Sequence, residues 1–326
     1  MKRVLSILLV VVAFSSVKAQ QDPQFTQWFN DKLSFNPAVA GLNDAHCFSL
    51  FYRNQWSGFT APNAVGGDVA VNPKTFMFNY SGYFGNGIGG GVNFYNDQLG
   101  NETNNIVKFS GAYHNLLPAG GPKLSAGLSL GLYQKSLGDN WIFIDENDPS
   151  IPNQGPSQGT FDLGLGLYLY DSDYYVGLSA THLTAADLDE LGIAVARHYF
   201  FMAGKDFNLP SGGVPMLLRT NLLAKSDFNK TALDVNANVL FNNMFYAGLS
   251  YRLGDAIAPM VGIEHCISKN GASSVSNQCF KAGYSYEVTT SDLNTYSSGS
   301  HEIFLSYCIK LTNKVIISKH SNPRFL

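Results

Sequence analysis

The chain is short of charge. Asp, Glu, Lys and Arg together make up 14% of its 326 residues, against about a quarter in ordinary globular domains. No basic cluster is present, which excludes a nucleic-acid partner. Beyond the first twenty residues no run of 18 apolar side chains occurs, so any membrane crossing has to be made by strands. Cysteine is limited to four, with no CxxC pair and no clustered histidine, so neither a metal nor any other cofactor is expected. Helical periodicity is weak nearly everywhere. What the chain has in quantity is glycine (32), phenylalanine (23) and tyrosine (17), at a mean hydropathy of -0.03. That combination suits an antiparallel β protein whose outer face meets lipid.

The first residues read as an export signal. Lys2 and Arg3 start it, Val4–Phe14 is its apolar stretch, and Val17 and Ala19 are the small residues before a cleavage site. The apolar stretch is too short for a membrane anchor. Cleavage after Ala19 removes Lys2, Arg3 and Lys18. Eighteen cationic side chains then remain against 24 anionic ones, a net charge of -6.

From Gly41 onward, segments of period two follow one another. "KLSAGLSLGLYQK" alternates Leu with Gly and Ser, and "FDLGLGLYLY" and "TALDVNANVL" do the same. Fourteen strands are predicted, the first at 45–56, the second at 64–72 and the last at 301–311. An even number closes an antiparallel barrel with both sheet ends on one side. "YDSD" (170–173) and "NN" (242–243) are tight turns after even-numbered strands. The segments 137–159, 182–192 and 289–300 are longer loops after odd-numbered ones, and 268–277 departs from that trend. Short turns on one side and long loops on the other is the outer-membrane pattern, with the short side periplasmic. A soluble β-sandwich would also alternate, but its outer face would be charged. The fold class is therefore all-β, a closed antiparallel transmembrane β-barrel of outer-membrane type.

Barrel closure offers a register test. Placing Cys47 opposite Cys308 also sets Ser49 against Ser306, Phe51 against Phe304, and Arg53 against Glu302. Placing Cys266 opposite Cys279 sets Glu264 against Lys281. The charges Arg53, Glu302, Glu264, Lys281 and Lys310 are then expected to point into the lumen. The cysteines admit two readings: disulfides Cys47–Cys308 and Cys266–Cys279 at the periplasmic rim, or four reduced, buried thiols.

Catalytic motifs do not survive their context. "GLSLG" (127–131) matches G-x-S-x-G, but Ser129 lies mid-strand instead of on a strand-to-helix turn. "GNGIGG" (85–90) matches G-x-G-x-x-G, but it begins a strand and no helix follows. Glycines at these spacings keep a turn or a barrel interior uncrowded. The histidines are scattered. His46, His265 and His301 fall on the apolar face near strand ends. The acidic run Asp139, Asp145, Glu146 and Asp148 lacks EF-hand spacing and reads as a solvated loop.

Residues 21–41, "QDPQFTQWFNDKLSFNPAVAG", do not alternate. Phe25, Trp28, Phe29 and Phe35 are too apolar for a free tail, so this segment should pack under the barrel mouth, inside the lumen, or on a partner. Here the chain resembles the PorP/SprF family. The resemblance is carried by Asp22, Pro23, Gln24 and Phe25, then Gln27, Phe29 and Asn30, then Asn36, Pro37, Ala38, Ala40 and Gly41. "RNQWSGFTAPN" (53–63) and the tail "NPRFL" (322–326) resemble later stretches of the same family. Asn322 stands where the family has Ser, and Leu326 follows the aromatic residue.

The resemblance implies a non-enzymatic outer-membrane barrel of the type IX secretion and gliding machinery. Its expected partners are outer-membrane lipid and either secretion components or one large secreted surface protein, which it helps to export or to hold at the surface. The expected organisation is a signal peptide (1–19), an N-terminal plug or docking segment (20–44), the barrel (45–311) and a C-terminal periplasmic tail (312–326). The plug or partner-binding residues would be Asp22, Pro23, Gln24, Phe25, Gln27, Trp28, Phe29, Asn36, Pro37 and Gly41. A passive diffusion pore is the alternative; it requires an open polar lumen with rings of charge. A lipid-active enzyme would need Ser and His within hydrogen-bond reach at the membrane face.

Overall fold

The computed structural model describes residues 23–42, 44–62, 68–118, 120–138, 155–210, 212–267 and 278–310. The expected signal peptide, Asp22, the acidic run 139–148, the 268–277 connection and the expected C-terminal tail lie outside them. Among the described residues fourteen strands close an antiparallel barrel. They are β1 (His46–Asn54), β2 (Lys74–Gly85), β3 (Ile88–Leu99), β4 (Glu102–Tyr113), β5 (Lys123–Leu137), β6 (Ser157–Tyr170) and β7 (Tyr174–Thr181). The rest are β8 (His198–Leu209), β9 (Met216–Ser226), β10 (Thr231–Phe241), β11 (Phe245–Arg252), β12 (Ala256–Ile267), β13 (Gln278–Thr289) and β14 (Ser300–Ile309). No described helix is long and apolar enough to cross a membrane.

The period-two pattern builds this wall directly. Successive side chains of a strand point to opposite faces. Phe48, Leu50 and Tyr52 of β1, and Leu128, Leu130 and Leu132 of β5, project outward and are exposed. Their neighbours Ser49, Phe51, Arg53, Ser125 and Ser129 project inward and are buried. A soluble protein does not leave such a continuous apolar belt to water, whereas a bilayer favours it.

The register at the seam is Cys47 opposite Cys308, Ser49 opposite Ser306, Phe51 opposite Phe304, and Arg53 opposite Glu302. Further round the sheet, Glu264 stands opposite Lys281 and Cys266 opposite Cys279. His46 and Ile309 face each other at one end of the barrel. This end is called the terminal rim, and the opposite end the distal rim.

Two sequence expectations are corrected. The second stave is Lys74–Gly85 and not 64–72; Thr60–Pro62 and Asp68–Ala70 instead form a two-stranded hairpin within the first loop. "KTFMFNYSGYF" alternates as well as any stave, and Pro73 separates it from the hairpin. Local alternation is present in both segments, and only pairing across to β1, from His46 against Gly82 to Asn54 against Lys74, separates them. The loop pattern is also less regular than expected. The distal rim carries long connections at 55–73, 138–156, 182–197 and 290–299, but also tight turns at 100–101, 227–230 and 253–255.

Candidate functional site

The lumen is occupied by the chain's own residues 23–42. Phe25, Trp28, Phe35, Ala38 and Ala40 are buried there among inward-facing strand residues. Two short 3₁₀ turns, Trp28–Asn30 and Pro37–Val39, are the segment's only regular elements. Irregular backbone at membrane depth has to be satisfied by protein, and the inner wall supplies the partners.

At the distal end, Glu302 accepts hydrogen bonds from the backbone N–H groups of Thr26 (2.7 Å) and Gln27 (2.8 Å). Tyr246 donates its hydroxyl to Oε1 of Gln27 at 2.8 Å. Phe25 packs on Phe51, with ring centroids 5.2 Å apart. In mid-segment, Asp31 accepts from Ser49 and from Asn79 (2.8 Å). Ser34 accepts from Asn79 and Asn93, each at 3.1 Å. Asn36 donates to the carbonyls of Leu167 and Leu178, and Ser179 donates to Phe35 O at 2.6 Å. Ser125 donates to Ala38 O, and the His114 ring lies 2.7 Å from Ala40 O. Ser81 accepts from the Gly41 N–H at 2.8 Å, where the chain leaves for β1.

The glycine content has a specific use here. A side chain at Gly89 would strike the Ala40 carbonyl, one at Gly127 the Ala38 backbone, and one at Gly166 the Asn36 amide. These positions form a track in the wall along which the lumenal backbone lies.

The distal end of the segment sits on an ion network. Arg53 binds Glu287 at 2.9 Å and Glu302 at 3.3 Å. Arg252 binds Asp234 (2.8 Å), Glu287 (3.1 Å) and Asp255 (3.1 Å). The expected pairing of Arg53 with Glu302 is present, and Glu287 adds a second partner. Glu287 makes the closer contact, and Glu302 divides its acceptors between Arg53 and the lumenal backbone. Glu264 is shared by Lys281 (3.1 Å) and Arg219 (2.9 Å). The lumen also holds charge beyond the five expected residues, with Lys108 beside Asp162 and Lys135 beside Glu102. Glu287, Arg252 and Asp234 were legible by parity, since each falls on the inward face of its strand.

The cysteine sulfurs are joined as Cys47–Cys308 and Cys266–Cys279. Of the histidines, His46 and His301 sit on the outer face against Tyr80 (2.8 Å) and Tyr284 (2.7 Å). His182 and His198, expected to be scattered, converge inside the barrel with ring centroids 5.5 Å apart, and His182 lies 3.3 Å from Asp162. Among the described residues no cluster of His, Cys, Asp or Glu is arranged to hold a metal ion.

Between the segment and the terminal rim lies a vestibule of about 410 Å³. Asp31, Lys32, Tyr175, Arg219, Lys281 and Cys308 are among the residues that line it. Lys32 stands over the Tyr175 ring at 4.4 Å.

Among solved structures, the CymD monoaromatic hydrocarbon channel is similar over 88% of this chain and 93% of that one, at 11% identity and a TM-score of 0.50. The Ralstonia pickettii toluene transporter TbuX covers 86% and 93%, at 11% identity and 0.49. The NanC porin covers 82% and 100%, at 12% identity and 0.40. Of these, the likeness to the hydrocarbon channel speaks for the barrel fold alone. No curated protein matches the chain. The description "Type IX secretion system membrane protein PorP/SprF" matches residues 17–307, nearly the whole described barrel together with its lumenal segment. The protein is an outer-membrane β-barrel and belongs to the PorP/SprF family of type IX secretion system membrane proteins.

Proposed function

We propose that this barrel is a non-enzymatic, plugged component of the type IX secretion and gliding machinery. It assists the export or surface attachment of a partner secreted protein without conducting that protein, or solutes, through its own lumen. The observation that carries this reading is the occupied lumen. Residues 23–42 run from the distal rim to the terminal rim with their backbone groups bonded to the wall. The seam supports it as well, because β1 and β14 pair along their full length and are joined by Cys47–Cys308. A lateral exit for an exported chain would have to break both.

The longest connections lie at the distal rim, and in outer-membrane barrels long loops are extracellular. The terminal rim with its vestibule is therefore assigned to the periplasm, where a partner meets the half-buried turn of the lumenal segment around Asn30–Lys32.

The test is a pull-down from detergent-solubilised outer membranes, with a variant lacking residues 22–41. Recovery of one very large secreted protein assigns a dedicated exporter or anchor, and recovery of periplasmic ring components assigns a core role. Recovery of neither overturns the secretion reading. Partner recovery unchanged by the deletion refutes docking through the segment. In planar bilayers the intact protein should show no large, steady conductance; such a conductance would favour the diffusion-pore reading instead.

A further inference from the structure

The register sets all four cysteines in one row. Cys266 opposes Cys279, Cys279 opposes Cys308, and Cys308 opposes Cys47, on four successive strands that include the seam. Directly opposed residues of an antiparallel sheet project to the same face, with Cβ atoms about 5 Å apart, which is close to disulfide reach. The two bonds present, Cys266–Cys279 and Cys47–Cys308, therefore leave Cys279 and Cys308 side by side as a third pairing. The row is also accessible. Cys266 is exposed and the other three are half-buried, and Cys47 and Cys308 line the vestibule.

We propose that this row is a thiol–disulfide exchange site for a periplasmic dithiol protein, and that exchange there breaks the covalent bond across the barrel seam. The periplasmic origin of the partner rests on the orientation proposed above. The steps follow from exchange chemistry. A thiolate of the incoming dithiol attacks Sγ of Cys266 and releases the Cys279 thiolate. Cys279 attacks Sγ of Cys308, forming Cys279–Cys308 and releasing Cys47. The second thiol of the partner then attacks its own sulfur in the mixed disulfide and frees Cys266. The partner is oxidised by two electrons to a disulfide and gives up two protons. The row is reduced from two disulfides to one and takes up two protons as the thiols of Cys47 and Cys266. The seam keeps its hydrogen bonds but loses its staple.

The test uses the full-length protein in detergent, with reduced thioredoxin as the dithiol probe. Free thiols are alkylated and the peptides mapped. Cys47 and Cys266 should be alkylated together, with a Cys279–Cys308 disulfide recovered. Alkylated Cys266 and Cys279 beside an intact Cys47–Cys308 bond would overturn the relay, as would no reaction. Cys279→Ala should slow seam opening at least tenfold at the same probe concentration; an unchanged rate overturns the route. The double variant Cys47→Ser with Cys266→Ser should form Cys279–Cys308 in air, and two persistent free thiols would refute the third pairing. A membrane-impermeant reductant applied to intact cells should leave the seam closed. Opening under that condition would overturn the periplasmic assignment while leaving the exchange row standing.

Discussion

Replacing Glu302 by Ala should loosen one end of the lumenal segment and leave the barrel closed. Glu302 accepts the backbone N–H groups of Thr26 and Gln27 at 2.7 and 2.8 Å and is 1% exposed. Hydrogen bonds to a charged group are each worth about 1.5–3 kcal/mol. Removal of both gives an upper range near 3–6 kcal/mol before relaxation. Arg53 is not orphaned by the change, because Glu287 still holds its Nη2 at 2.9 and 3.0 Å, so the further penalty of a stranded buried charge is avoided. The lower end, about 3 kcal/mol, is the expected loss, and it corresponds to roughly a hundredfold in the opening equilibrium. Amide hydrogen exchange reads this directly. The amides of Thr26 and Gln27 should exchange about a hundredfold faster, while the anchors at Asn36–Gly41 keep their protection. Glu302→Gln retains an acceptor without the charge and should fall between the two. Unchanged exchange at Thr26 and Gln27 would refute the latch. Equal acceleration along the whole segment would show that the barrel itself had been damaged.

Gly127→Val should displace Ala38 from the wall and produce conductance in planar bilayers. Gly111→Val should do neither, since a side chain there meets nothing within 4 Å; equal effects from the two would refute the glycine track. Lys32, covered by the Tyr175 ring, should be reductively methylated more slowly than exposed lysines, and faster after Tyr175→Ala uncovers it. A rate unchanged by that substitution would contradict its assigned environment. Cys308→Ser should cost more stability than Cys266→Ser, because the chain separations closed are 261 and 13 residues. The loop-entropy relation gives about 5.5 and about 3 kcal/mol respectively. Urea unfolding into lipid vesicles checks the order, and equal losses would place the stabilisation elsewhere.

Sequence by itself determined the wall. Period-two alternation, Gly and Ser inside and Leu and Phe outside, is a local property of each strand, and it sufficed for an antiparallel barrel of fourteen staves. Side-chain type also carried the seam register, because one alignment sets Arg53 against Glu302 and Cys47 against Cys308 together. Only the tertiary structure decided which alternating segment was the second stave, since both 64–72 and Lys74–Gly85 alternate and pairing with β1 is a long-range choice. Only it gave Arg53 its closer partner, Glu287, because that contact reaches over the intervening β14 to a strand with which β1 does not pair. The segment 23–42 marks the limit most clearly. Its aromatic residues required burial somewhere, but a segment without periodicity carries no address. The address is written in the wall, in Glu302, Ser125, Ser179 and the glycines of β3, β5 and β6, and these become a binding surface only when the sheet closes around them.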